Sequence, residues 1–520
     1  MHAGEVLLAR ARYERAIALD PALGDAHFNL GATYQAQGLH HLALPHYERG
    51  VALMPDPSIY LGNVLNTKMR ICDWSGLDVL TEQIESRVLS GQRTCPPFQI
   101  ISFSGSPDVQ RKAAALWVDA YPALPNNDPF LPRQKQAGEK IRIAYFSADF
   151  HHHPVSYLTA EMFELHDKTQ FELIAFSNGY APEGDPYRTR VMVAFDQFID
   201  IRAMSDDAVV QLARQMEIDV AVDLTGLTQG GRTGILMARV APVQMHYLGY
   251  PATTSAVNVD YMIADEMLVP KAIQLHYSER MLYLPHCFQV SDRRRPAATQ
   301  HENRLAARMA YGLSDIEHES IFVFCSFCNS YKITAEVFDS WMRILHRAPN
   351  SVLMLYADSE IAQSNLRREA TARGVDASRL VFGTRVGVPD YLARLAACDL
   401  FLDTHPYNGG TTANDALWMG LPLLTLTGET MTSRMAASLL HTLNLEELIA
   451  TSWADYEARA IELATEPERY AAIKQKLNEQ RKTSPLFDIL QITRAIERGY
   501  RMALELYWQG LAPDHLFVPT

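Results

Sequence analysis

The sequence predicts two doubly wound α/β units in tandem, preceded by an all-α repeat region. Three observations carry that expectation. Tyr13, Glu14, Arg15 and Pro21 recur as Tyr47, Glu48, Arg49 and Pro55, a period of 34 residues that marks stacked helical repeats. Short apolar runs then alternate with helix-length amphipathic segments over 141–265 and again over 321–427. Between the two series the pattern lapses, in the polar stretch FQVSDRRRPAATQHENRLAARMAYGLSDIEH at 288–318.

The repeat region comes first. Leu30, Gly31, Tyr34, Ala43, Tyr47 and Pro55 resemble the tetratricopeptide (TPR) pattern, in which small residues let two helices pack closely and proline ends the second. One full repeat and a preceding partial one are expected. They read equally as a concave peptide-binding arm or as a helical cap on the α/β units. Residues 56–130 continue in helical-looking segments that include Cys72-Asp73-Trp74 and break at Cys95-Pro96-Pro97. Residues 122–140, rich in proline and polar side chains, read as a linker.

The first α/β unit spans 140–287, with strands expected at 141–147, 171–177, 219–225, 243–249 and 261–265. The stretch 288–318 connects it to a second unit over 319–510, with strands at 321–327, 351–357, 380–383, 400–403 and 421–427. The region before 130 is then the helical domain. Crossovers between parallel strands are right-handed, so each unit should wind doubly and bind ligands at the carboxyl ends of its strands. Four polar motifs obey that rule by following strands directly: Asp149–Ser156, Thr225–Arg232, Ser326–Lys332 and Asn408–Asp415. Residues 440–512 read as helical, with 488–508 packing back across the domains.

Composition narrows the partners. A formal charge of −13 with no basic block argues against nucleic acid. No run of about 18 apolar residues exists to span a membrane. The first residues read as a charged amphipathic helix rather than a signal peptide. Six scattered cysteines suit a reducing compartment, and a cytoplasmic location is expected. Oligomeric state is left open.

The chemistry concentrates in DLFLDTHPYNGGTTANDALW, 399–418. A buried strand, a turn with Asn408, Gly409 and Gly410, and a helix opened by Thr411 and Thr412 would offer free main-chain N–H groups and hydroxyls to an anion. A threonine-capped βα turn has the same local pattern. Asp415, one turn inside, suits a neutral polyol such as a ribose better than a phosphate. Lys332, just past a strand end, would place a cation against a diphosphate in the same cleft. In SADFHHHPVSYL (147–158), Pro154 at the first helical position pins His153 at a helix start. The helix dipole disfavours the imidazolium there, so His153 is expected neutral near pH 7. Three consecutive histidines diverge in direction and carry no metal-ligand spacing. The single Cys-x-x-Cys at Cys325 and Cys328 is likewise weak for zinc. Asp219 and Asp223 are further carboxylates that could serve the site.

These residues resemble the O-linked N-acetylglucosamine transferase and SPINDLY family of glycosyltransferases. The anchors are CDW (72–74), SADFHHHPVSYL (147–158), RVAPVQMHYLGYPATTS (239–255), CSFCNSYKI (325–333), DLFLDTHPYNGGTTANDALW (399–418) and GETMTSRMAAS (428–438). The resemblance implies a GT-B fold, two Rossmann-like lobes behind a TPR array. It implies a UDP-GlcNAc donor, transfer to Ser/Thr of acceptor proteins reached through the TPR region, inversion at the anomeric carbon and no metal ion or other cofactor. It makes His153 the active-site histidine and Lys332 the lysine on the diphosphate. Thr411 and Thr412 fall on the phosphates, Asp415 on the ribose, and Asn329, Tyr391 and Arg394 beside the nucleotide. The chain departs from the animal pattern at Gly410, Val388 and Tyr391, and lacks the large insert between lobes. A GDP-fucose donor, as in SPINDLY relatives, and a non-catalytic TPR interaction protein are the alternatives.

Overall fold

A computed structural model describes residues 3–122, 130, 138–313, 321–357 and 359–520. Most of the linker expected at 122–140, and residues 314–318 of the expected connector, lie outside the described residues.

Helices Ala3–Leu19, Gly24–Ala36 and His40–Leu53 form the repeat region, and Gly31 shows why the repeat has its small residues. A Cβ at Gly31 would lie 2.8 Å from the ring of Tyr47, inside contact distance, so the two helices of the repeat close only over a glycine. Helices Leu61–Arg70, Leu77–Leu89, Pro97–Phe103 and Pro107–Val118 follow and touch both α/β lobes. Trp74 Nε1 donates to the Ile333 carbonyl (3.1 Å) and Asn365 Nδ2 to the Ile71 carbonyl (2.8 Å). Arg111 Nη1 donates to the Leu275 carbonyl (2.7 Å). Residues 61–118 are therefore a cap bound to the lobes, on which the repeat helices are mounted.

The first lobe is an all-parallel sheet of β1 (Ile141–Ser147), β2 (Phe171–Ser177), β3 (Gln197–Asp200), β4 (Val220–Asp223), β5 (Val243–His246), β6 (Tyr261–Ala264) and β7 (Arg280–Tyr283), in the order β7-β6-β5-β4-β1-β2-β3. Side chains alternate across a strand, and here both faces are covered, so β1 reads as one apolar run. Ile143 and Tyr145 join the core on one face, Ala144 and Phe146 the core on the other. The second sheet is β8 (Phe322–Ser326), β9 (Ser351–Tyr356), β10 (Leu380–Gly383), β11 (Leu400–Leu402), β12 (Leu423–Leu426) and β13 (Ile449–Ala450), ordered β10-β9-β8-β11-β12-β13 and also parallel. β14 (Leu516–Phe517) returns to pair with β7 of the first sheet.

All ten strands expected from the apolar runs are present, some shorter by a few residues. β3, β7, β13 and β14 were not expected. All four lie at or next to a sheet edge and are only two to four residues long, so burial imposes no long apolar run. The long helix Ile489–Trp508 packs back across the domains onto the first sheet, as expected of 488–508. Tyr500 Oη lies 3.0 Å from Tyr145 Oη, and buried Glu497 lies 3.0 Å from His166 Nδ1.

The strand orders locate the places where ligands can enter. In the first sheet β1 runs outward to β2 and β3, while β4 onward runs the other way; the reversal falls between β1 and β4. In the second sheet it falls between β8 and β11. Loops leaving such neighbouring strands in opposite directions open a crevice at the carboxyl ends. His153 follows β1 and Thr225 follows β4; Lys332 follows β8 and Thr411 follows β11. The motifs thus occupy the two switch points.

Candidate active site

At the second switch point, β11 ends in Asp403, whose carboxylate accepts the main-chain N–H of Thr404 (2.9 Å) and Gly409 (2.7 Å) and the Thr425 hydroxyl (2.8 Å). These bonds fold the turn back on itself and bring Asn408 to Lys332. Lys332 Nζ donates to the Asn408 carbonyl (2.9 Å) and sits 3.5 Å from the centre of the Tyr407 ring. Only 8% of the residue is exposed, and burial pushes the ammonium's pKa down, opposed by Cys328 and Asp403. Burial likewise raises Asp403 to about 6. Cys328 Sγ lies 3.7 Å from Thr412 Oγ1, which ties the Lys332 loop to the helix Thr411–Trp418. No side chain caps that helix, so the amides of its first turn face the crevice without an internal partner. Lys332, Thr411 and Thr412 are brought together as expected. A Cβ at Gly410 would meet nothing closer than 3.8 Å, so this position has room for a side chain it does not carry.

Asp415 has a cationic partner that the sequence did not indicate. Its Oδ1 accepts Arg295 Nη1 at 2.7 Å, while no described side chain bonds Oδ2. Burial raises its pKa to about 6 and Arg295 opposes the rise. Arg295 lies in the stretch read as a connector, and nothing in its spacing marked it as a site residue. Tyr391 presents a buried hydroxyl with no partner, in the field of Asp415, with its ring 6.2 Å from Phe327. Arg394 is not brought to the crevice floor: Nη1 donates to the Thr384 carbonyl (2.8 Å) and the guanidinium lies over Tyr311 and Phe327. Asn329 is exposed just before Lys332, its carbonyl accepting the Lys332 amide (2.9 Å).

Across the crevice, Pro154 opens the helix Pro154–Leu165 and His153 is its N-cap. His153 Nδ1 lies 3.4 Å from the Val155 amide and 3.5 Å from Asp149 Oδ1. Its pKa falls to about 4, from burial first and then from His151, so the ring is neutral near pH 7. The sequence argument reached that state through the helix dipole; burial is the larger cause. Asp149 moves the opposite way, up to about 7, because it is buried beside Asp223. Asp223 accepts the amides of Thr225 (2.8 Å) and Gly226 (3.0 Å) and shapes the β4 loop. Asp219 is excluded from the site: it precedes β4, at the opposite end of the sheet, and accepts the Arg142 amide at 2.8 Å. Tyr157, one turn after His153, lies in the field of Asp415 and Arg385, so the two switch points face each other.

Cys325 and Cys328 do not act as a pair: the Cys325 thiol meets Cys398, just before β11, and all six cysteines are buried and outside any disulfide. Asp149 was within reach of sequence reasoning, inside the motif that follows β1; only its proximity to Asp223 distinguishes it.

Comparison with known proteins agrees with this arrangement. The model of glycosyl transferase family 41 matches residues 106–304 and 295–496, and a TPR repeat model matches residues 3–38. A probable UDP-N-acetylglucosamine–peptide N-acetylglucosaminyltransferase, SEC of Arabidopsis thaliana, is 31% identical over 88% of this chain and 48% of its own length. The Caenorhabditis elegans UDP-N-acetylglucosamine–peptide N-acetylglucosaminyltransferase is 25% identical over 86% and 49%. The chain thus spans about half the length of the curated relatives it matches. A mutant of the Thermobaculum terrenum O-GlcNAc transferase superposes with a TM-score of 0.77 at 26% identity, covering 96% of this chain and 95% of that one. The architecture is GT-B, with an N-terminal TPR-type region.

Proposed function

The chain belongs to glycosyl transferase family 41, and from that premise we propose that it transfers N-acetylglucosamine from UDP-GlcNAc to Ser or Thr hydroxyls of acceptor proteins. The observation that carries the proposal is the group at the second switch point. A buried ammonium, an uncapped helix turn and two threonine hydroxyls converge on one spot of the crevice, opposite a neutral histidine. That set offsets a diphosphate's charge through fixed donors, and the reaction as proposed calls for no metal ion. The names carried by the Arabidopsis, nematode and Thermobaculum proteins support the choice of sugar and acceptor.

The proposed step is a direct displacement. The acceptor oxygen forms a bond to the anomeric carbon while the bond from that carbon to the phosphate oxygen breaks, and its electron pair leaves with UDP. Lys332 and the amides at Thr411 and Thr412 stabilise the departing diphosphate; Asp415 and Tyr391 hold the nucleoside. The hydroxyl proton passes to His153 Nε2 when Nδ1 bears the ring hydrogen. Asp149 governs that tautomer: ionised, it accepts Nδ1–H; protonated, it leaves the one Nδ1 lone pair to accept from the Val155 amide or from its own O–H, and Nε2 then carries the hydrogen. The TPR-type helices, mounted on the cap, are the proposed route by which acceptor proteins are presented. No described helix is long and apolar enough to cross a membrane, and cysteines outside any disulfide fit the proposed cytoplasmic setting.

The test is incubation with labelled UDP-GlcNAc and Ser/Thr-rich peptides, with labelled GDP-fucose in parallel. Incorporation from UDP-GlcNAc alone is expected. Incorporation from GDP-fucose alone, or no heat on titration with UDP, overturns the donor assignment.

A further inference from the structure

The segment 288–295 runs from the first lobe to the second and is held on both sides. Asp292 accepts Arg190 (2.5 Å), Arg293 pairs with Glu161 (2.8 Å) and Arg294 with Glu164 (3.1 Å), all on first-lobe helices. On the other side, Ser291 Oγ donates to Asn414 Oδ1 (3.0 Å), and Asn414 Nδ2 donates to Gln289 Oε1 (3.2 Å). Arg295 ends this series. Nε donates to the Asp292 carbonyl (3.0 Å), Nη2 to Ser291 Oγ and Asn414 Oδ1 (both 2.8 Å), and Nη1 to Asp415 Oδ1 (2.7 Å). The guanidinium lies 4.5 Å from the centre of the Trp418 ring, and its side chain is 8% exposed.

A planar fork with four of its five N–H groups committed, and a ring beneath it, cannot swing away without breaking several bonds. The carboxylate it grips is therefore held too, with Oδ1 occupied and Oδ2 unbonded. We propose that Arg295 is a positioning residue for the donor nucleotide: it fixes the Asp415 carboxylate so that Oδ2 is presented to the ribose hydroxyls. This rests on the donor assignment above.

The electrostatics deepen the point. Asp415 is faced by Arg295 from the connecting segment, by Tyr391 from the helix Val388–Ala397, by Tyr157 from the helix Pro154–Leu165 and by Tyr187 from the helix Pro186–Ala194. The three phenols stay protonated, being raised above the ordinary tyrosine value by burial. Arg295 is the cation that opposes protonation of Asp415. Without it the carboxyl would titrate higher than about 6 and a larger fraction would be neutral at pH 7, a poorer acceptor for a hydroxyl. Because the segment also grips Arg190, Glu161 and Glu164, the grip on Asp415 depends on the placement of the first lobe.

The experiment is calorimetric titration of the full chain with UDP and with 2′,3′-dideoxy-UDP at pH 6.5, 7.0 and 8.0, for the native protein, Arg295→Ala and Arg295→Lys. UDP is expected to bind Arg295→Ala tenfold to a hundredfold more weakly at pH 7, as expected for losing a hydrogen bond to a charged group. The deficit should shrink toward pH 8, and Arg295→Lys should recover part of it. Dideoxy-UDP should bind native and Arg295→Ala equally. Equal UDP affinity in native and Arg295→Ala overturns the proposal, as does an equal loss for both ligands, which would mark a merely structural arginine. If the native chain binds neither nucleotide, the donor assignment fails instead. Arg295→Lys, retaining the charge, keeps the test decisive should Arg295→Ala melt early.

Discussion

Replacing Lys332 by alanine probes the site most directly. The ammonium is buried, fixed by the Asn408 carbonyl at 2.9 Å and by the face of Tyr407 at 3.5 Å, and among the described residues no carboxylate lies within salt-bridge distance of it. It is thus a desolvated cation held ready for an anion, and what it gives a leaving diphosphate is not spent on the protein. Removing one pre-organised donor of this kind costs about 3 kcal/mol of transition-state stabilisation, on the order of a hundredfold in rate. Stability should change little. The lost contact with Tyr407 is offset by no longer burying a charge, and a net change within about 1 kcal/mol is expected. Lys332→Arg should not rescue turnover, because a planar guanidinium does not fit the slot between the Tyr407 ring and the Asn408 carbonyl. The pH dependence has a sign as well. The folded pKa of Lys332 lies below the ordinary lysine value, so rate should fall on the alkaline side earlier than a solvated lysine would dictate. The assay is single-turnover transfer from labelled UDP-GlcNAc, with UDP affinity by calorimetry and a thermal melt on each variant. A folded Lys332→Ala protein that keeps more than about a tenth of native kcat/KM would show that the ammonium does not stabilise the leaving diphosphate.

Three further outcomes are expected. Native kcat/KM should rise as pH passes through about 7, where Asp149 ionises and frees His153 Nε2, and Asp149→Asn should abolish that limb; an unchanged profile would remove Asp149 from the mechanism. Tyr391→Phe should leave the melting temperature unaltered, since its hydroxyl has no protein partner, yet weaken UDP binding about tenfold; equal affinity would show that the hydroxyl meets nothing in the complex. Glu497→Ala should lower stability by about 3 kcal/mol by unpairing His166, Arg494 and the Asp167 amide at the seat of the last helix. Because the folded pKa of Glu497 is depressed, that stabilisation is present above the unfolded value of about 4.3 and is lost as pH falls through the lower folded value. Chemical denaturation at pH 7 and at pH 3.5 measures both, and equal native and variant stability at pH 7 would contradict the assignment.

The ten strands with apolar runs were legible in the chain, as was the repeat whose Gly31 must meet Tyr47. The sequence also placed His153, Lys332, Thr411 and Thr412 at strand ends. These are local facts: a strand buried on both faces must be apolar throughout, a glycine must stand where helices touch, and proline must open a helix. The tertiary structure decided the rest. Only the strand orders put four motifs at two facing switch points. Only packing turned Arg394 onto Thr384 and buried Asp149 beside Asp223. Arg295, 120 residues before the carboxylate it grips, carried no signal in its neighbours. Hydrogen bonds between distant segments and the burial that shifts a carboxyl to about 6 or 7 depend on which surfaces meet in space, and chain spacing does not encode that.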